Sequence, residues 1–88
     1  MINVEISVSD CQWISTSDVG IYQSSNYMLG DLVSNILFSA ECRGQDVRFI
    51  VSWDHASILL GVIVSERIQE ILKPKIAFRP KVGFVVRQ

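Results

Sequence analysis

The stretch VRFIVSWDHASILLGVIV, Val47 to Val64, decides how the rest of this chain is read. Its first half alternates Val47, Phe49, Val51 and Trp53 with Arg48, Ile50 and Ser52, the period-two pattern of a strand with one strongly apolar face. Its second half, Ile58 to Val64, is apolar apart from Gly61. A short run of that kind, rich in β-branched residues, suits a central strand covered on both faces. The two halves are therefore expected to form a hairpin turning through Trp53, Asp54, His55 and Ala56, with Trp53 in the core. A rival reading joins Asp54 to Leu72 in one helix, but the apolar positions 58, 59, 62 and 63 fall out of phase with 68, 71 and 72.

Outward from this stretch, Ile2, Val4, Ile6 and Val8 alternate with polar residues and predict a half-buried strand. Asp10 to Asn26 is rich in Ser, Asp, Thr and Gln and reads as a long loop, with room for a short strand around Val19 to Tyr22. Leu29, Leu32, Val33, Ile36, Leu37 and Ala40 recur at helical spacing, and Arg43 followed by Gly44 marks the helix end. Ser65 is placed to cap a second, shorter helix running to Leu72, with Ile68, Ile71 and Leu72 inward. Ile76, Phe78, Val82, Phe84 and Val86 are strand material interrupted by Pro80, which favours a sheet edge.

The expected fold class is α+β: a small antiparallel sheet of four or five strands with two helices on one face, in one domain spanning residues 1–88. Its order, strand, helix, strand, strand, helix, strand, resembles the ferredoxin-like split βαβ arrangement. That architecture hosts many unrelated functions and carries no functional assignment.

Hydrophobic residues make up 49% of the chain and charged residues 19%, a surplus that fills a core or leaves a sticky face. Cys11 and Cys42 are far apart in the sequence and form no C-x-x-C pair, so a metal knuckle or thioredoxin-like motif is excluded, and both thiols are expected to be free and buried. Met1 to Val8 lacks the pattern of a secretory signal, and the longest charge-free apolar run falls far short of the ~20 residues that span a bilayer. The expected location is the cytoplasm, with no membrane partner.

The single histidine, His55, lies beside Asp54, but neighbours in an extended segment point opposite ways, and no nucleophile elbow surrounds them. His55 is expected at the rim of the hairpin turn. Glu66 and Glu70, four apart on a helix, read as a solvated face. The glycines are scattered singly without a phosphate-cradling loop, so no cofactor and no metal is expected. Charge is segregated. Residues 1–72 carry three basic and nine acidic side chains, whereas residues 73–88 carry Lys73, Lys75, Arg79, Lys81 and Arg87 and no acid.

These features favour a non-enzymatic protein-binding module that occupies the surface of a partner protein, of the inhibitor, immunity or phage anti-defence type, and that forms a homodimer. The candidate partner-binding residues are Trp13, Tyr22, Tyr27, Phe38, Glu66 and Glu70, because aromatic anchors dominate interfaces and acidic groups suit a basic partner. Nucleic acid ranks below protein as a partner and would be held by Lys73, Lys75, Phe78, Arg79 and Lys81. A small enzyme centred on His55 ranks third.

Overall fold

A computed structural model describes residues 1–9, 12–17, 29–73 and 78–88, and the backbone of residues 20–24. In chain order these form β1 (Ile2–Ser9), β2 (Gln12–Ser17), β3 (Gly20–Ser24), α1 (Leu29–Arg43), β4 (Val47–Ser52), α2 (Trp53–Ile63), α3 (Glu66–Ile71) and β5 (Val82–Arg87). The strands make one mixed sheet in the order β3-β2-β1-β4-β5. β1, β2 and β3 form an antiparallel meander, whereas β4 runs parallel to β1, and β5 parallel to β4.

Period-two alternation puts one face of each strand inward. Ile2, Val4 and Ile6 lie opposite Val47, Phe49 and Val51, and all six are buried. Onto this face pack Leu32, Val33, Ile36, Leu37 and Ala40 of α1, Leu59 and Ile63 of α2, and Ile68 of α3, in one continuous core. Both parallel connections step the same way across the sheet, from β1 to β4 to β5. A single crossover hand therefore brings every helix to one face. On the other face Glu5, Thr16, Arg48 and Val85 are exposed.

The expected antiparallel sheet and its split βαβ order are not what forms, because the hairpin is absent. The strand stops at Ser52 and the chain turns straight into α2. With α2 and α3 between the two strands the chain crosses back over the sheet, and β5 pairs with β4 in parallel. Positions 58, 59, 62 and 63 are out of phase with 68, 71 and 72 for a simple reason: α2 and α3 are two helices. Between them Ser65 Oγ donates to the Val62 carbonyl (2.6 Å), and Gln69 Nε2 donates to that of Ile63 (2.8 Å). Each helix keeps its own inward face, so their apolar positions need not share one period. Ile58, Leu60 and Val64, expected in a strand covered on both faces, are exposed, and so is Trp53.

The polar stretch expected as a loop with a short strand around Val19 to Tyr22 holds β3 at that place and β2 besides, while Asp10, Cys11, Asp18, Val19, Ser25 and Asn26 lie outside the described residues. The inward positions of β2 are Trp13, Ser15 and Ser17, opposite Val8, Ile6 and Val4. With two serines on the buried side, the strand has no apolar alternation to read. The α1 terminus is as expected: Gly44 takes φ +64°, and the Gln45 N–H reaches the Ala40 carbonyl at 3.0 Å, a left-handed cap. Cys42, expected buried, is exposed.

Two outcomes test this core. Leu59→Ala should cost about 2–5 kcal/mol, whereas Leu60→Ala should stay within ~0.5 kcal/mol in urea unfolding at low protein concentration. Comparable losses at both positions would point back to a strand covered on both faces. Ser15 Oγ is buried without a hydrogen-bond partner among the described residues. Ser15→Ala should therefore hold or raise stability, by up to about 1 kcal/mol, and a clear loss in the same assay would mean that the hydroxyl is bonded.

Candidate interaction surface

α2 is apolar on two flanks. Leu59 and Ile63 point into the core, with Ala56 and Val62 half-buried beside them. Trp53, Ser57, Leu60 and Val64 fall at i, i+4, i+7 and i+11, a second stripe on one side of the same helix. Within it Trp53 is 71%, Leu60 52% and Val64 62% exposed. The stripe faces the β5 side, since Ser57 and Leu60 share an apolar cleft of ≈ 280 Å³ with Val51, Phe84 and Val86. Phe84 and Val86 are themselves 39% and 44% exposed.

β5 is an edge strand, and its register fixes which of its backbone groups are free. The Val47 N–H donates to the Lys81 carbonyl (2.9 Å), and Val47 sits opposite Val82. In a parallel ladder of this phase Gly83, Val85 and Arg87 turn their N–H and C=O groups toward β4. Val82, Phe84 and Val86 turn theirs outward. The tilted contact of Phe84 on Phe49, ring centroids 6.1 Å apart, holds the strand flat against its neighbour. One edge of the molecule thus presents an uncharged apolar strip beside a row of backbone donors and acceptors. Contiguous exposed apolar surface marks an interaction site, and an open edge strand is a template for another chain.

On the opposite flank of α2 lies His55, in the first helical turn and not at the rim of a hairpin. Ser52, the N-cap residue, makes no side-chain bond to the helix backbone; its Oγ and His55 Nδ1 are hydrogen-bonded at 2.8 Å. The Trp13 ring meets the imidazole edge-on at 5.6 Å. A groove of ≈ 330 Å³ runs past this corner, lined by Glu5, Ser7, Val8, Ser52, His55 and Arg87, at the carboxyl ends of the parallel strands. Arg87 Nη1 donates to Glu5 Oε1 across it (3.2 Å). The corner holds a serine–imidazole pair, but Asp54 is exposed on the neighbouring helix position.

The residues expected to bind a partner are dispersed. Trp13 is half-buried on β2 against the core, and Phe38 is exposed on α1. Glu66 and Glu70 are exposed on α3, where Glu70 pairs with Lys73 at 2.7 Å. Tyr22 lies in β3, with only its backbone described, and Tyr27 and Lys75 lie outside the described residues. Of the basic tail, Arg79 donates to the Leu72 carbonyl, and Phe78 and Lys81 are exposed. The strip residues Trp53, Leu60, Val64, Phe84 and Val86 were not among the expected anchors. The available signal was the apolar surplus of Ile58 to Val64, which exceeds what one buried face of a helix can use.

Among the described residues, no group of three or more His, Cys, Asp or Glu could hold a metal ion, and no helix is long and apolar enough to cross a membrane. No family model, curated protein or solved structure matches the chain.

His55→Ala removes one hydrogen bond and one edge-on ring contact at the start of α2. The expected cost is about 1–2 kcal/mol in chemical denaturation. A change below ~0.5 kcal/mol, as at an ordinary surface position, would mean that the contacts with Ser52 and Trp13 do not hold the helix start.

Proposed function

We propose that this chain is a non-enzymatic, cytoplasmic protein-binding module that acts by laying the α2–β5 strip against another protein chain. The observation that carries the reading is the strip itself: exposed Trp53, Leu60, Val64, Phe84 and Val86 beside an edge strand with outward backbone groups. Trp in a desolvated apolar setting is a characteristic interface anchor, and free strand edges recruit extended backbone. Action by occupying a partner's surface groups the chain with inhibitor, immunity and anti-defence proteins. The nucleic-acid reading has less support, because the basic tail is partly engaged. Arg87 pairs with Glu5, Lys73 with Glu70, and Arg79 reaches a backbone carbonyl.

Tagged protein applied to extract of the native host after nuclease treatment should capture a protein chain, and Leu60→Glu should reduce that capture at least tenfold. Fluorescence anisotropy with a nonspecific duplex at about 0.15 M salt should show no binding. Micromolar duplex affinity that weakens steeply with salt and is lost in the Arg79→Gln, Lys81→Gln double variant would replace this reading with nucleic-acid binding.

A further inference from the structure

We infer that the occupant of the strip is a second copy of this chain, paired β5 to β5 in antiparallel so that two five-stranded sheets join into one. The inference rests on the reading of the strip as a protein-docking surface, and it names the partner.

The geometry of the edge admits such a pairing. A two-fold axis perpendicular to the sheet reverses the strand while keeping both sets of helices on one side, so the interface is isologous. Residues directly opposite across it share a face, which sets the even-numbered residues of one copy, among them Val82, Phe84 and Val86, against even-numbered residues of the other. These are the residues whose N–H and C=O groups point outward. Charge rules out one register. Centring on Phe84 would put Lys81 opposite Arg87 at both ends, a like-charge pair. Centring on Val85 puts Phe84 opposite Val86, Gly83 opposite Arg87 and Val82 opposite Gln88. No like charges meet.

The helix layer fits the same axis. α2 packs against both β4 and β5. With strands ~4.8 Å apart, a helix above the β4–β5 seam lies about 5 Å from the axis, so the two α2 helices would be ~10 Å apart. That is the spacing of packed helices. Side chains of ordinary size interdigitate at that distance and small ones permit a closer approach, and Ser57 and Gly61 stand beside Leu60 and Val64. A Cβ added at Gly61 would meet nothing within 4 Å in its own chain. Glycine is a poor mid-helix residue, and the protomer offers no packing reason for it.

Electrostatics favours self over a charged stranger. Trp53, Ser57, Leu60, Gly61, Val64, Phe84 and Val86 carry no charge, so a charged partner finds nothing here to pair with. A formal net charge of −1 leaves little repulsion between two copies. The identical strip supplies the complementary surface.

Sedimentation velocity over micromolar to submillimolar concentrations should show the 9.9 kDa chain associating to twice its mass. Val86→Pro removes an outward N–H without touching the ladder to β4, and Gly61→Gln obstructs the helix approach; each should weaken dimerisation at least tenfold while circular dichroism shows a folded monomer. Val85 meets itself across the axis as a non-hydrogen-bonded pair, with Cα atoms ~4.5 Å apart, within disulfide range. In a Cys11→Ser, Cys42→Ser background, Val85→Cys should therefore oxidise to a covalent dimer. A monomer at every concentration overturns the inference, as does a dimer indifferent to Val86→Pro and Gly61→Gln. A monomer that still captures another protein in a Leu60-dependent way removes the second copy but leaves the docking surface standing. A monomer whose capture ignores Leu60→Glu removes both.

Discussion

The parallel pairing of β1 with β4, Ile2 on Val47, Val4 on Phe49 and Ile6 on Val51, is the constraint from which the remaining architecture follows. Parallel neighbours cannot be joined by a tight turn, so the chain must leave the sheet between them, and α1 is the element that brings it back. β5 repeats the manoeuvre beyond β4 with α2 and α3. Two crossovers stepping in one direction load one face with helices and, among the described residues, leave the other without one. Six buried side chains in register also explain why the core is narrow. It is deepest over β1 and β4 and thins toward β5, where Val82 is half-buried and Phe84 and Val86 are exposed.

The sequence was legible where burial is one-sided. Leu29 to Ala40 reads as a helix because one stripe is buried and the rest is polar or small, and Val47 to Val51 reads as a strand for the same reason with period two. The reading failed where that rule fails. α2 has a buried flank at Leu59 and Ile63 and an exposed apolar flank at Trp53, Leu60 and Val64, which erases the helical period and leaves a continuous run resembling a central strand. β2 fails in the reverse sense, with Ser15 and Ser17 on its inward side. The two tryptophans exchanged roles through the same errors. Parity placed Trp53 on the buried face of a strand that ends one residue earlier, and polar neighbours made Trp13 look exposed although its strand turns it onto the core.

The charge asymmetry between body and tail also resolves within the fold. β5 carries Arg87 alongside Glu5 of β1, Lys73 meets Glu70, and Arg67 of α3 pairs with Asp31 of α1. Exposed pairs of this kind contribute little to stability, about 0–1 kcal/mol each. None of the three involves a residue of the strip, and β5 is uncharged between Lys81 and Arg87 because Val82 to Val86 carry no ionisable side chain. Among the described residues, the tail cations Lys73 and Arg87 thus sit against acids of the body.

The Ser52 and His55 pair explains why the chain can change so abruptly from strand to helix. Ser52 is the last residue of β4 and the N-cap of α2, and its hydroxyl engages the imidazole one turn on while Trp13 closes over the ring. With its start fixed on the β2 flank, α2 cannot roll to bury its other apolar stripe against its own sheet. A helix apolar on two flanks is suited to packed surroundings on both. One side of α2 has that environment from its own chain. The stripe of Trp53, Leu60 and Val64 is left exposed beside β5.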